Sequence, residues 1–225
     1  MNFGVVQFPG TCDDRDAVLA CERVEGASAQ LLWHGETSFD GIDAVVIPGG
    51  FSYGDYLRVG AIARFSPVMG AVTRFASEGG LVLGICNGFQ VLCEAGLLPG
   101  ALLPNVGLRF VCRQVNVSVE NAETAFTHAC SPGDVLSIPV KHQAGRYYAP
   151  EVELERMQAH GQIVLRYAHD GNPNGSSNDI AGVCNEARNV MGLMPHPEHA
   201  VDPLTGSVDG LALFASMALG VPARA

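Results

Sequence analysis

The stretch from Gly80 to Gln90 constrains the fold more than any other part of the chain. An apolar Leu-Val-Leu run ends there in a Gly-Ile-Cys-Asn-Gly turn, and a helical pattern follows at once. Gly84 and Gly88 flank Cys86 two residues on either side, a spacing that lets a strand and a helix approach closely around a strained central residue. The sequence predicts a strand, a tight turn and a helix, with Cys86 at the turn.

A cysteine in this position is a candidate nucleophile. The free N–H groups and the dipole at the start of a helix favour a thiolate over a thiol. Free cysteines are more often buried as small apolar groups, and we keep that interpretation for four others: Cys21, Cys93, Cys112 and Cys184. A cysteine used only for packing needs no such pair of glycines, so we single out Cys86.

A catalytic cysteine needs a base, and a histidine near the carboxyl end of the chain is a candidate for it. The β-prone run Val190–Met194 is followed by Pro-His-Pro-Glu-His. Residues i and i+2 of an extended segment share a face, so Glu198 can hold His196 in one tautomer and stabilise its protonated form. Cys86, His196 and Glu198 are therefore the predicted catalytic residues.

Other interpretations of this segment are open. A lone histidine near a strand end is more often a surface or core residue, although Pro195 and Pro197 impose a stiff extended backbone with no evident gain in packing. A helical zinc motif cannot form across Pro197, and we predict no metal site. Four further histidines are interpreted as solvated or structural: His34, His128, His142 and His160.

The composition suits a folded globular protein without a membrane anchor. The chain has 225 residues, of which 48% are hydrophobic, and its mean hydropathy is +0.19. These values favour a single domain over residues 1–225. No apolar run approaches the roughly 20 residues that cross a bilayer, and no signal segment is evident, so we expect a cytoplasmic protein.

The charge and the cysteine pattern argue against several classes of protein. The net charge is −10 with only 13 lysines and arginines, which argues against a surface that follows nucleic-acid phosphates. The seven cysteines show neither a Cys-x-x-Cys pair nor a regular framework, so neither a disulfide scaffold nor a structural zinc site is indicated. We expect reduced thiols in a reducing compartment.

The order of elements predicts an open, mostly parallel α/β sheet flanked by helices. In such sheets, ligands bind at the carboxyl ends of the strands. The predicted strands of this part are Asn2–Gln7, Gln30–His34, Asp43–Pro48, the run before Cys86, Ile180–Cys184 and Val190–Met194. The predicted helices are Asp13 to about Glu25, Ala61–Ser77, the one that follows Cys86, and Val208–Leu219.

A smaller antiparallel β layer is predicted beside this sheet. The stretch Phe110–Val119 alternates apolar and polar residues, and Val135–Val140 and Ile163–Tyr167 are further β-prone runs.

The segment Gly49–Gly60 is a candidate oxyanion loop. It contains four glycines and lies, in this interpretation, at the same sheet edge as Cys86. Glycines let backbone N–H groups face a substrate, and two such donors stabilise a developing oxyanion. The N–H groups of Gly50 and Asn87 are the candidates, although a plain surface connection would show the same composition.

Together these features resemble the class I glutamine amidotransferases, which combine a Gly-x-Cys-x-Gly elbow with a His-x-Glu pair. The resemblance covers nearly the whole chain and implies their flavodoxin-like fold and their Cys-His-Glu triad. It also implies oxyanion or substrate-binding roles for Gly50, Asn87, Gln90 and Arg58. The segments that carry it are Pro48–Ala63, Gly84–Gln90, Gly96–Leu102 and Met194–Glu198.

Within that family, the chain is most similar to glutaminase subunits that serve an ATP-dependent ligase of purine biosynthesis. The segment Gly54–Arg58 and the Cys-Asn-Gly-Phe-Gln elbow are the more specific features. The resemblance implies that L-glutamine is hydrolysed through a thioester and that the ammonia is channelled to a ligase subunit, which converts formylglycinamide ribonucleotide to its amidine. It also implies a small bridging subunit. ATP and Mg²⁺ are expected on the ligase, with no cofactor in this chain, in which no P-loop is visible.

The chain departs from the family pattern at two places. His199 stands where the family usually has arginine, and Gln143-Ala144 replaces a Gly-Glu pair. Three alternatives remain: a glutaminase subunit of a different synthase, a cysteine hydrolase of the α/β-hydrolase type, and a non-catalytic regulatory or binding module. The second would normally place its acid before the histidine, and the third predicts a broken triad.

Overall fold

The computed structural model describes residues 1–168 and 171–219. The predicted domain extends to residue 225, so residues 169–170 and 220–225 of it lie outside the described part. The described strands are β1 Asn2–Gln7, β2 Ser28–Trp33, β3 Ala44–Ile47, β4 Leu81–Ile85, β5 Ala101–Leu103, β6 Val111–Val119, β7 Val135–His142, β8 Arg146–Tyr148, β9 Ile163–Ala168, β10 Ile180–Cys184 and β11 Val190–Leu193. The described α-helices are α1 Asp14–Glu22, α2 Pro67–Ser77, α3 Asn87–Glu94, α4 Glu151–Ala159 and α5 Leu211–Leu219.

Nine of the described strands form one sheet in the order β2-β1-β3-β4-β11-β10-β9-β6-β7. The strands from β2 to β11 in this order are parallel, as predicted. Strands β3, β4 and β11 are buried at every position, because helices cover both faces of a parallel sheet.

The predicted antiparallel addition is confirmed, and it also includes β10, which the sequence analysis grouped with the strands of the mostly parallel part. Strands β10, β9, β6 and β7 pair antiparallel and extend the same sheet at one side. A separate two-stranded antiparallel sheet is formed by β5 and β8, two short strands that the sequence pattern did not indicate.

The predicted helix from Ala61 to Ser77 is wrong in its first turns. A short 3-10 turn at Ala63–Phe65 is followed by Ser66 in an extended conformation, and α2 begins at Pro67. The residue before a proline avoids the helical region, whereas proline suits the first helical position. The break in the helix therefore follows from this one proline.

Helix α4 was not predicted. Only Leu154 and Met157 of its nine residues are buried, so the apolar repeat is too sparse to be seen in the sequence. Helix α1 is shorter than predicted and ends at Glu22.

The sheet order places the polar loops of the chain together. Strands β1, β3, β4 and β11 are neighbours and run parallel, so the segments that follow them meet at one edge of the sheet. These segments contain Asp13, Gly50, Cys86 and His196. Among the described helices, none combines the length and the apolar character that crossing a bilayer requires.

Candidate active site

Cys86 occupies a strained turn between β4 and α3. Its φ is +50° and its ψ −100°, a conformation that side-chain-bearing residues rarely adopt. The backbone N–H of Cys86 donates to the carbonyl of Leu193 at 2.8 Å, which fixes the turn to the end of β11. Helix α3 begins at the next residue, so the thiol lies at a helix N-terminus, as the sequence predicted.

Gly84 and Gly88, on either side of Cys86, occupy positions where a side chain would clash with neighbouring atoms. A Cβ on Gly88 would stand 1.9 Å from the carbonyl oxygen of Ile47 in β3, and a Cβ on Gly84 would stand 2.8 Å from the backbone of Gly88. Both distances lie far inside van der Waals contact. The elbow therefore packs so closely against the neighbouring strand that no side chain fits at either position.

His196 and Glu198 form a buried pair beside this turn. The Nδ1 of His196 lies 2.5 Å from the Oε1 of Glu198, and the side chains are 1% and 0% exposed. The backbone N–H of His196 donates to the carbonyl of Pro139 in β7 at 2.8 Å, which fixes the segment to the antiparallel half of the sheet. The structure thus brings together the three residues that the sequence predicted as nucleophile, base and orienting acid.

The imidazole of His196 is held in a strongly negative environment. Burial alone would lower the pKa of His196, but the charges of Glu198 and Cys86 outweigh it and raise that pKa to about 10. The Nε2 is buried and forms no hydrogen bond of normal geometry within the described residues, although Cys86 is close enough to contribute to this pKa. These charges favour the imidazolium form of the ring, which is the form that can stabilise a thiolate.

A cavity of about 400 Å³ opens above the thiol. It contains both apolar groups and ionisable side chains, which suits a small polar ligand with an aliphatic stem. Its lining residues are Cys12, Asp13, Gly50, Phe51, Gly54, Asp55, Val59, Cys86, Gln90, Pro104, Phe110, Lys141, His142, Gln143, Ala144 and His196.

Asn87 connects the elbow to the glycine-rich loop through its side chain. Its Oδ1 accepts from the backbone N–H of Ser52 at 3.1 Å, and its Nδ2 donates to Asp55 at 3.2 Å and to Gln90 at 2.9 Å. Gln90 in turn donates to the carbonyl of Ala144 at 2.5 Å. The loop is therefore held over the cavity by amide groups of α3.

The glycine-rich loop has an unusual backbone. Tyr53, Asp55 and Leu57 all have positive φ values between 53° and 71°. Gly50 has a φ of +146°, and a Cβ there would stand 2.6 Å from the backbone nitrogen of Cys12. Three strained side-chain-bearing residues within five positions mark the loop as held by its surroundings, a pattern typical of ligand-binding segments.

Arg58 does not reach the cavity. Its guanidinium forms two hydrogen bonds of 2.6 Å with the carboxylate of Glu94 in α3, and its side chain is 65% exposed. It is absent from the described cavity lining. The substrate-binding role of Arg58 stays a prediction without geometric support here, whereas Gly50 and Gln90 line the cavity and Asn87 lies directly behind it.

The structure adds two ionised groups that sequence reasoning passed over. Asp13, interpreted only as a residue of the first helical turn, lies 3.6 Å from the Nδ1 of His196 through its Oδ2. Lys141 reaches the Oδ1 of Asp13 at 2.5 Å. No signal in the sequence could have found them, because they are separated by 128 positions and meet only in the tertiary structure.

His142 also lines the cavity and is 3% exposed. Burial, with a further contribution from His196, lowers the pKa of His142 to about 3, so the ring is neutral. Its Nε2 lies 3.0 Å from the Nδ2 of Asn174, whose Oδ1 already accepts from the N–H of Ser176. Nε2 is therefore the acceptor, and the proton lies on Nδ1.

Four side chains here could also serve as metal ligands. Ligand atoms of Asp13, His196, Glu198 and His199 lie within 4.8 Å of one another. The ammonium group of Lys141 already provides a positive charge at Asp13. The absence of a metal site stays a prediction from the sequence.

Comparison with known proteins identifies the family. Residues 2–210 match the model of the CobB/CobQ-like glutamine amidotransferase domain. Curated relatives match over nearly the full length: a protein of Rubrobacter xylanophilus named phosphoribosylformylglycinamidine synthase subunit PurQ is 61% identical over 220 residues, covering 98% of this chain and 99% of that protein. The chain is a glutamine amidotransferase of the PurQ family.

Further matches agree with this placement. The amidotransferase is 58% identical over 214 residues to the protein of the same name from Mycobacterium bovis, covering 95% of this chain and 94% of the relative. Its fold is similar to a chain in the structure of PurLQS from Thermotoga maritima, with a TM-score of 0.88, 43% identity and 97% of both chains covered. The predicted family and fold are confirmed, and the α/β-hydrolase alternative is excluded.

Proposed function

We propose that this amidotransferase is the glutaminase subunit of phosphoribosylformylglycinamidine synthase. It hydrolyses L-glutamine and delivers ammonia to a ligase subunit, which converts formylglycinamide ribonucleotide to formylglycinamidine ribonucleotide. The observation that carries the proposal is the cavity in which Cys86, at a strained elbow, faces the buried His196–Glu198 pair. The choice of pathway rests on the relatives, whose printed name is that of this synthase subunit.

The first half of the reaction forms a thioester. The thiolate of Cys86 attacks the carboxamide carbon of glutamine, and the electron pair of the C=O bond moves to oxygen. The backbone N–H groups of Gly50 and Asn87 donate hydrogen bonds to this oxyanion. When the carbonyl re-forms, the C–N bond breaks and His196 gives its proton to the departing nitrogen, which leaves as ammonia.

The second half regenerates the thiolate. His196, now neutral, takes a proton from water, and the resulting hydroxide attacks the thioester carbon. The C–S bond breaks, glutamate is released, and Cys86 and His196 return to their charged forms. Glu198 keeps the ring in place throughout through its bond to Nδ1.

Substrate recognition fits the size and the walls of the cavity. A volume of about 400 Å³ suits one amino acid, and Gln90 and Asp55 present an amide and a carboxyl group to it. In this proposal, Gln90 contacts the substrate, whereas Arg58 stabilises the loop from outside through Glu94.

The rim of the cavity suits a protein partner. Phe51 and Phe110, each 51% exposed, line it, and Tyr56 and Leu57 project from the same loop with exposures of 74% and 91%. Exposed apolar groups clustered around a site mark interaction surfaces. We assign this rim to the ligase subunit, which brings ATP and Mg²⁺. A small third subunit is proposed from the name of the similar assembly, PurLQS.

We place the reaction in the cytoplasm. The seven cysteines are all free, including the exposed Cys12 and Cys112, and this suits a reducing compartment.

The decisive experiment measures glutamine-dependent ammonia release by the wild type and by Cys86→Ala. Each is assayed alone and with the candidate ligase, ATP and formylglycinamide ribonucleotide. We expect release that rises sharply with the ligase and disappears in Cys86→Ala. Cys112→Ala is the matched control, since this thiol is exposed and outside the cavity lining.

Two outcomes contradict parts of the proposal. If Cys86→Ala keeps its activity, the assignment of the nucleophile fails. If the wild type responds only to a different synthase, the amidotransferase chemistry stands and the pathway is wrong.

A further inference from the structure

A cluster of ionisable side chains lies beside the Nδ1 of His196. It consists of Asp13 after β1, Lys141 in β7 and His199 in the turn after β11. Lys141 Nζ lies 2.5 Å from Asp13 Oδ1 and 3.0 Å from His199 Nε2, and His199 Nε2 lies 3.3 Å from Asp13 Oδ1. His199 is the residue that replaces the usual arginine, so this departure lies next to the triad.

Asp13 is placed where an aspartate normally serves a helix. It is the N-cap residue of α1, yet its side chain makes no capping hydrogen bond. A capping aspartate normally stabilises the helix that it begins. The side chain is instead buried, 3% exposed, and directed at Lys141 and His196. Helix α1 therefore lacks the stabilisation of a side-chain cap, and the Asp13 carboxylate contacts Lys141 and His196 instead.

The segment after β3 leaves room for the contact between Asp13 and His196. A Cβ on Gly49 would stand 2.3 Å from Asp13 Oδ2 and 2.6 Å from His196 Cε1. The φ of Gly49 is not positive, so its backbone conformation does not call for glycine. The lack of space is what requires glycine, because any side chain at position 49 would separate the Asp13 carboxylate from the His196 imidazole.

The distances define what Asp13 can do. Glu198 Oε1, at 2.5 Å, accepts the single N–H of His196 Nδ1, while Asp13 Oδ2 stands 3.6 Å from the same nitrogen. The longer distance is outside hydrogen-bond range and well inside the range of strong Coulombic attraction. Asp13 therefore acts on the charge of the ring and not on its tautomer.

Lys141 and His199 keep Asp13 ionised. Burial would raise the pKa of Asp13, but the hydrogen bond from His199 and the charges of His196 and Lys141 hold it well below its usual range. The carboxylate is thus negative at every pH at which the protein works.

We propose that Asp13 is a second positioning carboxylate for His196, held in place by Lys141 and His199, and that its charge stabilises the imidazolium that faces Cys86. The proposal rests on the proposed function only for its kinetic effect. It assigns no direct contact between Asp13 and the reacting atoms.

The test is the titration of His196, followed by NMR of histidine labelled with carbon-13 at Cε1, with His196→Gln used for assignment. In Asp13→Asn, which keeps the shape and removes the charge, we expect deprotonation of His196 to move to lower pH by about one to three units. Among the described residues, the titratable groups that face His196 are Asp13, Cys86, Lys141, His142, Glu198 and His199, and each variant replaces only one of them.

Asp14→Asn is the matched control. Asp14 is the next residue, is also buried and lies in the first turn of α1, but its carboxylate accepts from Gln7 and not from the site. Both substitutions remove one negative charge from the same helix end. We expect Asp14→Asn to leave the titration of His196 within about 0.3 units of the wild type.

A second variant keeps the proposal testable if Asp13→Asn does not fold. Lys141→Met removes a cation that repels protonated His196 and partly neutralises Asp13. Both effects should stabilise the imidazolium, so the titration of His196 should move to higher pH. If a folded Asp13→Asn titrates like the wild type, or if Lys141→Met produces no upward shift, the proposal is wrong.

Kinetic measurements distinguish a positioning role of Asp13 from a purely structural one. In Asp13→Asn we expect kcat for glutamine hydrolysis to fall about tenfold or more while KM stays within about twofold, since the charge acts on the base and not on substrate binding. If the wild type hydrolyses no glutamine at all, the proposed function fails, and the NMR titration still decides the role of Asp13.

Discussion

Glu198 and His196 are joined by a hydrogen bond of 2.5 Å between two side chains that solvent does not reach. The bond fixes the ring in one orientation, with Nδ1 turned to the carboxylate and Nε2 left for the thiol side. Glu198 Oε2 is buried and has no hydrogen-bond partner among the described residues. The charge of this carboxylate is therefore compensated mainly by His196, which makes the two side chains one electrostatic unit.

Replacing Glu198 by glutamine should reduce the glutaminase rate strongly. The substitution keeps the shape and an acceptor for Nδ1 but removes the charge that stabilises the imidazolium, and comparable changes in hydrolytic triads cost about 10⁴-fold in kcat. We expect a fall of at least about a hundredfold. Steady-state kinetics of ammonia release with the ligase present would measure it. Glu186→Gln, on an exposed carboxylate paired with Arg156, should remain within twofold of the wild type, about the noise of such assays.

Adding one methyl group at the elbow should destabilise the whole protein. In Gly88→Ala, the new Cβ would stand 1.9 Å from the Ile47 carbonyl oxygen, so α3 or β3 has to move. Overpacking of this kind costs about 1–3 kcal/mol or more. Denaturant unfolding would show it, and an unchanged midpoint would contradict the observed packing. Gly107→Ala is the control, because a Cβ there meets nothing within 4 Å.

Asp55→Asn should stabilise the protein at neutral pH. Burial raises the pKa of Asp55 to about 6, although the hydrogen bond from Asn87 opposes this. A carboxyl whose pKa is higher in the folded state supports folding below its unfolded pKa, near 3.8, and loses that support as pH rises through about 6. The φ of Asp55 is +53°, which asparagine also tolerates.

The expected gain is on the order of 1 kcal/mol near pH 7, discounted because the group is partly exposed, and it should vanish near pH 4. Urea unfolding at the two pH values measures it. A gain of equal size at both would show that relief of backbone strain, and not the charge, is responsible. Asp40→Asn, on an exposed loop, should change stability little at either pH.

Arg58→Met should leave glutamine binding by the isolated chain unchanged. The guanidinium of Arg58 is engaged with Glu94 outside the cavity, and solvent screens an exposed pair of this kind. We therefore expect a KM for glutamine within about twofold of the wild type. A large rise in KM would restore the substrate-binding role that the sequence resemblance implies. Gln90→Ala, whose side chain lines the cavity, is the contrasting variant and should raise KM.

Local rules allowed much of the architecture to be predicted. The parallel strands, the elbow around Cys86 and the His196–Glu198 pair each depend on residues a few positions apart, where glycine spacing and strand periodicity act directly. The predictions that failed depend on weaker or longer-range effects. Helix α4 buries only two residues, and the start of α2 is set by Pro67 against an apolar repeat that runs through it.

The sequence by itself determined the turn at Cys86, since two glycines and a central cysteine admit few other backbones. It also determined the stiff segment that carries His196. Only the tertiary structure decided which charges surround that histidine, because Asp13 follows β1 and Lys141 lies in β7, a strand that is not a neighbour of β1 in the sheet but is hydrogen-bonded to the His196 segment through Pro139. Coulombic interaction depends on distance in space, and here that distance is set by tertiary packing between segments that are remote both in the chain and in the strand order.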